Sequence, residues 1–427
     1  MSGPVVPFGK EFRAKYFTNI EEGVYPVNHG SYGLTPTPVH EKYLQYITEN
    51  AAYTDKFMKY TTKEIYVNSL KTVAEVLQGD YHNFAFVENA TSGVNTVLRS
   101  FPLEKGDKIV IQNTVYGACG NTVKFLKNRY GIEFFVVELD YPMTQKEVVA
   151  KFEEIFVAEK PKLCMFDAIT SMPGVVFPYE ELVKLCKEHN VLSLIDGAHG
   201  IGCIPFNLSE LKPDFFVSNL HKWFYVPFGC ATLYVDRKHH NRIHTMPVSH
   251  SYLDDSTHLS AEDQKNRLID RFWFYGTKNY ASIQVIPDAA KFRAEECGGE
   301  KAIHDYCHGL AKQVGELVSK KWGTYYLEQT STMVTVEVPI KDFPQLAKDW
   351  PKIDNLVYAK MFEEKAYTPC SPHNGKLFAR FSCQVYNDLN DFDYASDVLI
   401  TKLKEVAQER YGKSNLIGYV SRLIIRE

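Results

Sequence analysis

From about residue 64 the chain alternates two textures. In one, apolar residues recur every three or four positions; in the other, short runs are apolar almost throughout. In EIYVNSLKTVAEVLQG, Ile65, Leu70, Val73 and Leu77 share one helical face and Gly79 ends the run. HNFAFVEN reads as a short strand, and ATSGVNTVLRSF after it as a helix opened by Thr91 and Ser92. DKIVIQN, IEFFVVELD, KLCMFDAIT, VLSLIDG, DFFVSN and ATLYVD bring the apolar runs to seven, several separated by helical stretches such as YEELVKLCKEHN. Strands without polar alternation are covered on both faces. The pattern therefore predicts an α/β fold with a mainly parallel seven-stranded sheet flanked by helices. Right-handed crossovers would gather ligands at the carboxyl ends of its strands.

After about residue 283 the texture changes. QVIPDAAKFRAEEC and AIHDYCHGLAKQVGELVSKKW have helical periodicity; TMVTVEVPI, NLVYAKMF and KLFARFSCQVYN read as strands. The expected division is 1–35 as an N-terminal segment serving the small domain and the active-site mouth, 36–282 as the large domain, and 283–427 as a smaller α+β domain.

Composition narrows the function classes. The net charge of -4 over 427 residues offers no basic footprint for nucleic acid or anionic membrane. The 9 cysteines include no CxxC pair, which argues for a reducing compartment. MSGPVVPFGKEFRAKYF lacks a signal-peptide core, no run has membrane-spanning length, and SRLIIRE matches no lipidation signal, so a cytoplasmic protein is expected. His240 and His244 are spaced i, i+4, but charges surround them and no third ligand is apparent. They are expected on a solvated helical face, with no metal.

The candidate chemistry lies at strand ends. In LSLIDGAHGIG a strand over 191–195 delivers Asp196, either as the cap of a tight turn or as a carboxylate offered to a cationic ring nitrogen. The glycine order G-x-x-G-x-G, with the acid first, fits a dinucleotide site poorly. Lys222, in VSNLHKWFYVPFG, comes one strand later and sits among aromatic residues. Carboxylate and amine on successive parallel strands reach one edge, the pairing that pyridoxal 5'-phosphate requires: a lysine to hold the aldehyde and an Asp to keep the pyridine nitrogen protonated. Ala90, Thr91 and Ser92, at a strand-to-helix junction, offer backbone amides to its phosphate, or simply cap the helix. Ser218 and His221 could add donors.

VNHGSYG, ENATSGVNTVLRS, IDGAHGIG, SNLHKW, FYGTKNYAS and ARFSCQVYN occur in this order. Together they resemble the class V pyridoxal-phosphate-dependent aminotransferase family, over about residues 7–390. The likeness is greatest to its isopenicillin N epimerase-like branch, which includes fungal ergothioneine C–S lyases and cysteine desulfhydrases. The resemblance implies fold type I, with Lys222 as the cofactor lysine, Asp196 at the ring nitrogen and His199 near the ring's phenolate oxygen. Thr91, Ser218 and His221 would hold the phosphate. Tyr275, Gly276 and Thr277 would reach the phosphate of a neighbouring subunit, making a homodimer with shared sites. Arg380 would clamp the α-carboxylate of a small amino-acid substrate, with Asn28 and His29 at the mouth, Tyr116 over the cofactor as stacking or acid residue, and Ser171 as a donor behind the site. Trp223, Phe224 and Tyr225 read as the wall behind the lysine.

The reaction the resemblance implies is β-elimination from a cysteine-derived substrate, such as L-cysteine or a hercynylcysteine sulfoxide, giving pyruvate, ammonia and a sulfur product. Tyr116 is the expected acid. The alternatives are a cysteine desulfurase using Cys370, in the loop YTPCSPHNG ahead of Arg380, and an epimerase or an aminotransferase.

Overall fold

The structure, a computed structural model, describes residues 3–254 and 257–412. SRLIIRE, at 421–427, and the end of the third expected division lie outside the described residues, as do residues 1–2 of the amino-terminal stretch read for a signal sequence. The seven apolar runs become β1 (Phe84–Val87), β2 (Lys108–Gln112), β3 (Glu133–Val137), β4 (Leu163–Asp167), β5 (Leu192–Asp196), β6 (Phe215–Asn219) and β7 (Ala231–Val235). They form one sheet in the order β1-β7-β6-β5-β4-β2-β3. All neighbours are parallel except β7, which runs antiparallel to β1 and β6. β4, β6 and β7 are buried along their whole length, the burial that their lack of polar alternation predicts.

Two helix ends differ from expectation. The helix Ala90–Ser100 is capped by Asn89, whose side chain accepts from Ser92 N–H, so Thr91 and Ser92 lie inside the first turn. The helix Thr62–Val76 ends before Gly79, and Gln78 takes the left-handed backbone (φ 52°). Gly79 is needed for space instead, since a Cβ there would lie 2.8 Å from the Phe84 ring.

The second sheet is antiparallel: β8 (Met333–Glu337), β9 (Cys370–His373) and β10 (Lys376–Ser382), ordered β8-β10-β9. NLVYAKMF, expected as a strand, lies within the helix Gln345–Glu363. Its buried residues Leu346, Trp350, Ile353, Val357 and Met361 keep helical spacing straight through Pro351. A proline inside a helix carries a local cost, which tertiary packing of this one apolar stripe outweighs. Cys370, expected in a loop, opens β9 opposite Ala379. The N-terminal segment crosses to this sheet: Asn28 bridges Ser382, and Ser382 N–H donates to the Val27 carbonyl at 2.8 Å. Among the described residues no helix is long and apolar enough to cross a membrane.

Candidate active site

β5 and β6 are parallel neighbours with Asp196 opposite Val217, so the chain leaves both strands at the same edge of the sheet. Asp196 ends β5, and Lys222 sits in the four-residue helix Leu220–Trp223 that leaves β6. Between them opens a cavity of about 490 Å³. Of the expected residues, Ala90, Thr91, Ser92, Tyr116, Ser171, Asp196, His199, His221 and Lys222 line it.

The lysine is held dry and its backbone is pinned. Trp223, Phe224 and Tyr225 behind it are each 0% exposed. The Trp223 indole N–H donates to His199 Nδ1 at 3.2 Å, which leaves the ring proton of neutral His199 on Nε2. Nε2 faces Lys222 Nζ at 3.4 Å, a contact suited to a neutral amine as acceptor. Burial, then the positive charge of Arg380, brings the Lys222 pKa down to about 8, against the pull of Asp196. Burial also keeps His199 neutral, helped by the Lys222 charge. Asp196 is buried too, which raises its pKa; Ala198 N–H at 3.0 Å, the Cys119 thiol at 3.4 Å and the Lys222 charge oppose that rise.

An anion-binding end lies at the start of Ala90–Ser100. Ala90 N–H is taken by Asn219 Oδ1 and Ser92 N–H by Asn89. Among the described residues nothing engages the Thr91 N–H or the Thr91 and Ser92 hydroxyls. His221 gives its Nδ1 proton to the Cys230 carbonyl at 2.9 Å, and its ring lines the cavity.

Arg380, in β10, is 2% exposed and has no carboxylate partner among the described residues. Its Nη1 donates to the Ser171 carbonyl at 2.9 Å, and its Nη2 to Asn28 Oδ1 at 3.0 Å and Ser31 Oγ at 2.8 Å. Nε has no partner. Burial lowers its pKa to about 10. This is a guanidinium held among neutral acceptors, short of one anion.

Several expected residues lie elsewhere. Ser218 is 0% exposed and does not reach the cavity. Its hydroxyl donates to the Gly197 carbonyl and accepts from Ile201 N–H, pinning the turn that carries His199. His29, expected at the mouth, is 3% exposed; it takes the Tyr386 hydroxyl proton at Nδ1 and donates from Nε2 to the Lys222 carbonyl at 2.7 Å. Burial brings its pKa to about 3, so it stays neutral. Gly33 completes the same contact: at φ 85°, a Cβ there would lie 2.0 Å from the His221 carbonyl oxygen. Asn28 does not line the cavity and acts on it through Arg380 and through Ser31, whose hydroxyl donates to its Oδ1 at 2.8 Å. Tyr275, Gly276 and Thr277 are outside this chain's cavity; the Tyr275 hydroxyl donates to Glu88 and Thr277 is exposed. His239 and His240 belong to a 3-10 turn with buried rings, His239 on Asp214 and His240 on the Val235 carbonyl, so the expected solvated helix is not there.

The cavity also has walls that the sequence pattern did not reveal: Ser31, Tyr32, Asn89, Asn219 and Asp167. Asn89 and Asn219 stood inside the family-like motifs without a function; Asp167 was hidden as the polar end of an apolar run. The whole donor set, amine, carboxylate and anion cradle around one cavity, fits pyridoxal 5'-phosphate.

Cys370 does not offer a mobile thiol. It is 7% exposed, its Sγ faces the Thr368 carbonyl, and burial raises its pKa. Cys370→Ser is expected to leave sulfur release within about twofold of the unmodified protein, measured as product sulfide or sulfenate per minute.

Residues 32–348 match the Aminotransferase class-V family. The hercynylcysteine sulfoxide lyase of Schizosaccharomyces pombe is 33% identical over 399 residues, covering 92% of this chain and 97% of that protein. The L-cysteine desulfhydrase-like protein lolT1 of Epichloe uncinata is 28% identical, covering 96% and 98%. Among solved structures, a mutant of C-DES with glycine covalently linked to its PLP cofactor superposes with a TM-score of 0.75 at 17% identity, covering 91% and 98%.

Proposed function

The chain belongs to the class-V aminotransferase family, and from that premise we propose a C–S lyase dependent on pyridoxal 5'-phosphate. Its substrate is a cysteine-derived amino acid, from which it releases pyruvate, ammonia and a sulfur product. The observation that carries the reading is a cavity holding Lys222, Asp196 and Tyr116, with the buried Arg380 guanidinium, short of an anion, behind Ser171.

Pyridoxal phosphate supplies the electron sink for the substrate's α-carbon. Asp196 would hold the proton at the ring nitrogen, and His199 Nε2–H would be available to the ring oxygen. Thr91 N–H, the Thr91 and Ser92 hydroxyls and, once protonated, His221 Nε2 would bind the phosphate, at a helix N-terminus where the dipole favours an anion. Arg380 takes the substrate α-carboxylate and so fixes which bond at Cα lies free for cleavage. Lys222 Nζ would hold the cofactor and, as a buried amine of lowered pKa, would move the proton at the substrate's Cα. The Tyr116 hydroxyl, half exposed at the rim, donates a proton to the departing sulfur. A homodimer is consistent with Thr277, which is exposed and does not line this chain's own cavity. Nine free, buried cysteines support a reducing, cytoplasmic setting.

The test is pyruvate formation by the holoenzyme from L-cysteine, simple S-conjugates and hercynylcysteine sulfoxide; no pyruvate from any of them ends the reading. Tyr116→Phe should slow elimination by about 10²-fold with a basic thiolate leaving group, and far less with an activated one. Equal slowing of both would make Tyr116 a stacking residue only.

A further inference from the structure

Asp167 ends β4 as the register partner of Asp196 on the parallel neighbour β5. Matched positions on parallel strands project to the same face, so the two carboxyl groups lie side by side. Asp167 is 4% exposed, lines the same cavity as Lys222, and its Oδ1 has no hydrogen-bond partner among the described residues. The groups facing it are Asp196 on β5, Gln112 on β2, Cys119 on the helix Gly117–Tyr130 and Tyr141 after β3. None of these is a cation.

Two carboxylates this close in a dry site do not both ionise. Their surroundings decide which keeps the proton. Asp196 has the Ala198 amide, the Cys119 thiol and the charge of Lys222, all of which favour its anion. Of the groups facing Asp167 only the Gln112 side chain favours its anion, and burial followed by repulsion from Asp196 drives its pKa well above the ordinary range.

We propose that Asp167 and Asp196 share one proton, held on Asp167, so that the pair presents a single negative charge to the cofactor's ring nitrogen. Asp167 is then a positioning residue for charge: it keeps Asp196 ionised without adding a second anion. The inference rests on the pyridoxal-phosphate reading of the cavity, and its decisive measurements use the cofactor-free protein, so the two fail separately.

With aspartate labelled at the side-chain carboxyl carbon, the infrared spectrum of the apo-protein at neutral pH should contain the carbonyl band of a protonated, dry carboxylic acid. Asp167→Asn should remove that band. Linkage sets the sign of the stability change. A carboxyl whose folded pKa lies above its unfolded value of about 4 loses stability as pH rises from there toward the folded value. The melting temperature of Asp167→Asn should therefore gain on that of the unmodified protein, by a few degrees, as pH rises through this window. In the holoenzyme, ionising Asp167 adds an anion near the ring, so the visible spectrum should show an alkaline step that Asp167→Asn lacks. Absence of the protonated band from the unmodified protein overturns the proposal whether or not the variant folds. So does its survival in a folded Asp167→Asn.

Discussion

Lys222→Ala will abolish the visible absorbance of the covalently held cofactor and lower turnover by about 10³-fold or more, since it removes both the tether and the base. The amine suits both tasks. It stands against Nε2 of a His199 that burial keeps neutral, in front of a wall of three fully buried aromatic residues, and its pKa is about 8. Only the neutral amine attacks an aldehyde. Covalent uptake of pyridoxal phosphate by the apo-protein should thus accelerate with pH and level off above about 8. Lys222→Arg separates charge from nucleophilicity, because a guanidinium keeps the cation and gives no free amine. It should lose the band as completely as Lys222→Ala. The phosphate contacts at Thr91, Ser92 and His221 remain in both variants, so non-covalent cofactor should still be recovered by dialysis equilibrium. A surviving band in either variant would remove Lys222 from the site.

The two ends of this site were unequally legible in the sequence. Asp196 and Lys222 could be read because two successive parallel strands end at the same edge of the sheet, and the two residues lie at or just after the ends of successive apolar runs. The grip of Asn28 and Ser31 on Arg380 could not, because they lie 352 and 349 positions away on a segment folded over β10 by contacts such as Ser382 N–H to the Val27 carbonyl. His29 shows the same gap. Its motif was visible, but its place beneath the Lys222 carbonyl depends on the close approach at Gly33, which no local pattern encodes. Asp167 was hidden differently: one carboxylate ending an apolar strand has the same local pattern as a cap, and only the register with Asp196 marks it out. NLVYAKMF, read as a strand, is the end of a helix whose stripe of buried residues runs from Leu346 to Met361, a spacing that shows only over the longer segment.

Arg380 carries the other large effect, and it couples stability to binding. A buried guanidinium with no counter-ion costs the folded protein, and its bonds to Ser171, Asn28 and Ser31 offset that cost with neutral acceptors only. A substrate α-carboxylate supplies the missing charge in a bidentate geometry. Arg380→Lys keeps a cation but loses the fork. Truncating one side of such a buried pair costs about 2–5 kcal/mol, so kcat/KM should fall by about 10²-fold or more, with the larger part in KM. The cofactor band should persist, because Arg380 does not touch the lysine or the phosphate cradle. Arg380→Met sharpens the test: it removes the uncompensated charge and fills much of the volume, so the melting temperature of the substrate-free protein should hold or rise. The unmodified protein should gain melting temperature with a non-reacting amino acid such as glycine, and Arg380→Met should gain none. A variant that melts earlier yet keeps the glycine-induced shift would make Arg380 a structural residue, and the carboxylate would have to bind elsewhere in the cavity.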